Sequence, residues 1–204
     1  LPLQLRYEVA ININQNWQNI APKPLARIYL TDANDEMVAF RPAVYYEGYM
    51  VSPDNLEATF VVEQQGELYQ ITRDKSFETQ FFDFFAQQHP LFNEQLSQNP
   101  TAPYCLLPFD ELLKDAWFLD FAAAMHAQQI ELMGVKQLSR FNYSLHKPEM
   151  QWRVSSGIDW FDMEADIKFG TETVTLKDVQ RAVMRNERFV KLSDGTMGVL
   201  PEEW

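Results

Sequence analysis

"QWRVSSGIDWFDMEADIKFGTETVTLKDVQRAVMRNERFVKL", residues 151–192, changes its period midway, and that change decides the fold class. From Trp160 to Phe169 apolar and polar residues alternate. Phe161, Met163, Ala165, Ile167 and Phe169 take one face; Trp160, Asp162, Glu164, Asp166 and Lys168 take the other. A period of two is that of a half-buried strand. Gly157 breaks this strand from the one before it. Thr175 then caps a helix whose Leu176, Val179, Ala182 and Val183 form its buried stripe. Strands that follow one another through turns pair antiparallel more readily than in a doubly wound sheet. The class is therefore α+β: antiparallel β-sheets with about three main helices packed on them.

The first half reads mostly as strand. "LARIYL" (25–30) and "MVAFRPAVYY" (37–46) flank the turn-rich "TDANDE" and predict a hairpin. "ATFVVEQ" and "ELYQITR" flank Gln65-Gly66 and predict a second. Pro42, which lacks a donor, marks an edge position or a bulge. Asp74 is a good N-cap, and after it Phe77, Phe81, Phe84 and Phe85 recur at helical spacing until Pro90 ends the run. "LSQNPTAPY" (96–104) is polar with two prolines and reads as a linker. It divides the chain into a β-rich lobe with a Phe-rich helix (1–95) and a helix-plus-antiparallel-sheet lobe (105–204). "FDELLKDAWFLDFAAAMHAQ" predicts one long helix, apolar on nearly every side from Ala116 to Met125, and "IELMGV" a strand. The expected core includes Trp117, Phe121, Phe161, Met163, Ile167, Val179 and Val183.

The 204 residues carry a net charge of −12, 46% hydrophobic and 14% aromatic residues. That is a globular composition able to bury a sizeable core. The charge argues against a free-standing nucleic-acid binder, which carries a basic footprint. Cys105 is the one cysteine, so an internal disulfide is excluded and a reducing cytoplasm is expected. No apolar run reaches the roughly 20 residues that cross a bilayer, so no membrane role is expected.

Catalytic motifs are mostly missing. There is no G-x-x-x-x-G-K-[ST] phosphate loop, no G-x-G-x-x-G and no G-x-S-x-G. His89, His126 and His146 lie far apart and form no zinc pattern; His126 reads as a core or boundary histidine. Cys105 has no basic neighbour to favour its thiolate. Three features remain. Asp162, Glu164 and Asp166 share a strand face, where carboxylates can hold a divalent cation or simply meet water. Lys177, Arg181 and Arg185 recur every four residues beside the apolar stripe, with Arg188 and Lys191 after them. This basic cluster is the candidate contact for phosphates or an acidic partner surface, against the plain reading of a solvated helix face. Gly195-Thr196-Met197-Gly198 matches a G-x-x-G loop, but here it joins strands, not helices.

The chain ends "FVKLSDGTMGVLPEEW" (189–204). Asp194-Gly195 predicts a tight turn between Phe189–Leu192 and Met197–Leu200. Pro201 followed by two glutamates is the opening of a helix. The expectation is a fragment of a longer protein, cut before its next element; "LPLQL" at the start is no signal peptide.

"LLPFDELLKDAWFLDFAAAMHAQQIELMG", "WRVSSGIDWFDMEADIKFG", "TLKDVQRAV" and "FVKLSDGTMGVLPEEW" together resemble the bacterial helicase-associated region that precedes the motor in Swi/Snf-family (Snf-type) helicase-like ATPases. "KPLARIYLTDANDEMVAFRPAVYY" and "ITRDKSFETQFF" resemble it more loosely. The resemblance implies a role in ATP-driven DNA translocation or remodelling, as a non-catalytic accessory domain that positions or regulates the motor and guides DNA or a protein partner. ATP, Mg²⁺ and the hydrolase chemistry would belong to motor lobes outside this chain, which are its implied partner; DNA would be held mainly by the motor. No cofactor, metal or catalytic residue is assigned here. Two readings stand beside it: a self-standing protein-binding module of unknown partner, and a metal-dependent hydrolase using the 162/164/166 carboxylates.

Overall fold

The hairpin expected at 25–46 is the centre of the molecule. In the computed structural model, which describes residues 17–156, 161–201 and 203–204 (backbone only for 154–156 and 161–164), a short strand β1 (Gln18–Ile20) leads into β2 (Leu25–Asp32) and β3 (Met37–Tyr46). These two pair antiparallel from Leu25↔Tyr45 to Asp32↔Val38. β4 (Tyr49–Val51), the hairpin β5 (Thr59–Gln64) and β6 (Glu67–Thr72), then α1 (Lys75–Ala86) and α2 (Pro90–Gln98) follow. Next come β7 (Cys105–Pro108), α3 (Phe109–Leu113), α4 (Trp117–Ala127) and β8 (Glu131–Met133). The last part is β9 (Pro148–Ser156), β10 (Phe161–Phe169), β11 (Glu172–Thr175), α5 (Leu176–Met184), β12 (Phe189–Lys191) and β13 (Met197–Val199). The architecture is α+β with mainly antiparallel sheets. Two parallel pairings, β1 with β6 and β2 with β8, depart from the antiparallel expectation.

The main sheet runs β4-β3-β2-β8, with β7 also on β3. Its inner face presents Ala26, Ile28 and Leu30 from β2 and Val38, Phe40, Val44 and Tyr46 from β3, all buried. Helices cover that face. Phe40 meets Phe92 of α2 at 5.1 Å, and Trp117 and Phe121 of α4 at 6.0 and 5.6 Å. Phe85 of α1 stacks on Phe92 at 4.7 Å. Such offset and edge contacts add to the burial of each ring. Pro42 lies inside β3, yet its missing donor costs nothing. β7 pairs residues 37–40 and β4 pairs 44–46, so Pro42 falls in the gap between them. The expected edge exists, but only locally.

A second core lies under α5. Ile167, Phe169, Val174, Val179, Ala182, Val190, Leu192 and Leu200 are buried together, and Leu176 and Trp204 pack against them. The sheet here is β11-β10-β9, and β12–β13 forms the hairpin around Asp194-Gly195. Gly195 has φ +87°, and the Asp194 carboxylate accepts from the Thr196 N–H at 2.9 Å. Gly198 is needed for a different reason: a Cβ there would sit 2.6 Å from the Phe169 ring. An aromatic path joins the cores, from Phe118 to Phe141, to Tyr143, to Phe189, with centroids 4.6–5.3 Å apart.

Packing groups the elements differently from a division at 96–104. The first core runs from Ala26 to Phe141, and β7 pairs with β3 across that stretch. Pro90 does more than end α1. It is the first residue of α2, capped by the His89 Nδ1, which accepts from the Leu91 N–H at 3.1 Å. The long helix expected over 109–127 is broken, because Asp115 and Ala116 have φ +53° and +54°. Of the expected core, Phe121, Ile167 and Val179 are buried and Trp117 is half-buried. Val183, expected in the core, is 37% exposed. The side chains of Phe161 and Met163 lie outside the described residues; Ala165, Ile167 and Phe169 on their face are buried, as the alternation requires.

Candidate interaction surface

Lys177, Arg181 and Arg185 come from α5, which Thr175 opens as expected: its hydroxyl accepts from the Asp178 N–H at 3.3 Å. Burial of Val179 and Ala182 turns the basic positions outward, and all three are exposed. Arg181 Nη1 pairs with Asp178 Oδ1 at 3.1 Å, which anchors its guanidinium to its own helix. Arg185 is the C-cap, where a cation meets the negative end of the helix dipole. Arg188 and Lys191, before and at the end of β12, are exposed as well. The structure thus puts Lys177, Arg181 and Arg185 along one helix and Arg188 elsewhere. Arg188 borders a cleft of about 440 Å³ between the α4 start and the C-terminal stretch, with Asp115, Asp120, Lys147 and Glu203 around it.

The carboxylate face resolves in part. Asp166 is an ion-pair partner, its Oδ2 2.6 Å from Arg153 Nη2. Asp162 and Glu164 have side chains outside the described residues. Among the described residues no group of three His, Cys, Asp or Glu side chains is placed to hold a metal ion. Cys105 is fully buried, and burial pushes its thiol up to about 11, so it stays protonated near neutrality. His126 is exposed and not a core residue. It lines an apolar groove of about 1070 Å³ beside β8, with Leu119, Ala122, Ile130, Leu132 and Leu145.

Two polar constellations escaped the sequence. Arg73, 6% exposed, makes a two-pronged bond to Glu78, with Nε–Oε1 2.9 Å and Nη2–Oε2 2.7 Å. Its Nη1 also donates to the Asn55 and Glu57 carbonyls, tying the loop after β4 to the start of α1. Tyr46 donates to Glu78 at 2.8 Å, and burial first, then this bond, raise its hydroxyl well above the usual tyrosine range. On the outer face of the main sheet, the Arg41 guanidinium lies 4.7 Å over the Tyr29 ring and the Arg27 guanidinium 5.2 Å over Tyr45. The two tyrosine hydroxyls meet at 2.8 Å. The one sequence signal was the alternation of β2 and β3, which sends these four residues to the face opposite the core. Comparison with family models, curated proteins and solved structures finds no match for the chain.

Proposed function

We propose that the chain is a non-catalytic accessory domain of a bacterial Swi/Snf-family DNA helicase-like ATPase, acting in the cytoplasm. It positions or regulates motor lobes that carry ATP and Mg²⁺, and it lends the motor a weak basic contact for DNA or for an acidic protein surface. The observation that carries this reading is the packing of one unit. The α5 unit presents Lys177, Arg181 and Arg185 outward and packs Leu200 and Trp204 of the "LPEEW" stretch against its own core. In the family it resembles, that stretch leads into the motor, so the basic surface and the connection would move together. No helix among the described residues is long and apolar enough to cross a membrane.

A self-standing protein-binding module is the second reading, favoured by the apolar groove beside β8. The purified chain separates the two when assayed for phosphate release and for binding to a fluorescent DNA duplex. The accessory-domain reading expects no turnover above background, and DNA binding that is weak at ~50 mM salt and lost by ~200 mM, as three to five phosphate contacts dictate. ATP hydrolysis that copurifies with the chain contradicts it; no DNA binding even at ~50 mM salt removes the DNA contact and leaves only the acidic protein surface for the basic stripe.

A further inference from the structure

Among the described residues β9 is the outer strand of its sheet, and 149–153 are exposed on both faces. It pairs with β10 over nine consecutive residues without a bulge, and no proline follows Pro148 within it. Proteins normally blunt such an edge. Here the face shared with the buried Ala165 and Ile167 carries Met150 and Trp152, 40% and 58% exposed. The opposite face carries Glu149, Gln151 and Arg153. The cross-strand partners are Lys168 for Glu149 and Glu164 for Arg153.

We propose that β9 is a homodimer edge, pairing antiparallel with β9 of a second copy about Gln151. That register sets Glu149 opposite Arg153 of the second copy and Met150 opposite its Trp152. One row then reads Lys168, Glu149, Arg153 of the second copy: alternating charge at strand spacing, ~4.8 Å. The two-fold axis repeats the row in reverse. The other face joins Met150 to an exposed tryptophan, a cross-strand pair of the stabilising kind. Arg153, already held by Asp166, keeps further guanidinium donors for Glu149 of the second copy. A shift by two residues would set Glu149 against Gln151, losing the charge match, so the pattern selects one register. The interface is small, so the dimer is a weak one. This proposal is independent of the accessory-domain reading.

The test is sedimentation of the 204-residue chain, 23.9 kDa, across ~5–300 µM, with circular dichroism melts to confirm folding. The wild type is expected to move toward twice that mass as concentration rises. Glu149→Arg and Arg153→Glu, each alone, set like charges opposite and are expected to weaken pairing at least ~10-fold. An equimolar mixture of the two restores opposite charges in both rows and is expected to pair again. A wild type that stays monomeric overturns the proposal, as do single variants that pair like the wild type or a mixture that stays monomeric.

Discussion

Arg73 and Glu78 are five residues apart, one just after β6 and the other inside the first turns of α1, and the fold buries both charges together. Removing one partner strands the other away from water, so Glu78→Ala is expected to cost ~3–5 kcal/mol in urea unfolding. Asp178→Ala, at the exposed pair with Arg181, is expected to cost under ~1 kcal/mol from the pair itself. Cys105 gives a pH prediction. Its folded value, about 11, lies above the ordinary thiol value, so the contribution of the buried neutral thiol is whole below pH ~9 and is lost as pH rises to about 11. Tyr46 is shifted in the same direction and acts the same way above pH ~10. Urea midpoints should therefore fall between pH ~9 and 11, and Cys105→Ala should flatten the lower part of that fall. A midpoint independent of pH over this range would contradict the burial argument. Asp74 was legible as a cap because capping is local. Glu78 was not, because its partner Arg73 precedes the cap and Tyr46 comes from another strand.

The break between α3 and α4 belongs to the scale of elements. The sequence 109–127 is helical by propensity and nearly all apolar after Ala116, so local rules predict one helix. Tertiary packing overrides them: Trp117 donates through Nε1 to the Gln88 carbonyl at 2.8 Å and stacks on Phe121 at 4.9 Å, while Phe109 and Leu112 are buried in the same core. Both sets of contacts occur with Asp115 and Ala116 left-handed, a conformation that costs roughly 1–2 kcal/mol for a residue with a Cβ. Ala116→Gly should therefore be neutral or raise stability by up to ~1 kcal/mol, whereas Ala124→Gly inside α4 should lower it by about as much. Equal losses at the two sites would mean that the helix is continuous. α2 was missed for a similar reason. From sequence Pro90 is a stop, but a proline at the first position of a helix is also a start, and only the His89 cap distinguishes them.

At the scale of the molecule, two cores are linked through Phe141, Tyr143 and Phe189. The second was the more legible, since its strand alternation, Thr175 cap, helix stripe and Asp194-Gly195 turn are all local signals. The first is built by β7 and β8 joining a distant hairpin, and such pairings leave no mark in nearby sequence. Phe169→Ala, at the contact that demands Gly198, is expected to cost ~3–5 kcal/mol, against little for exposed Lys177→Ala. The basic surface is legible as a stripe because burial of Val179 and Ala182 fixes which way α5 turns; Arg188 lies apart from it, beyond the helix end at Met184. The central claim is that this stripe serves a DNA-driven motor. Its most direct test is DNA-stimulated ATP hydrolysis by the longer ATPase that the proposal implies, carrying Lys177→Glu, Arg181→Glu and Arg185→Glu together, at ~50 and ~150 mM salt. The account predicts a folded protein with intact DNA-independent hydrolysis and severalfold weaker stimulation at both salts; wild-type stimulation at both would contradict it.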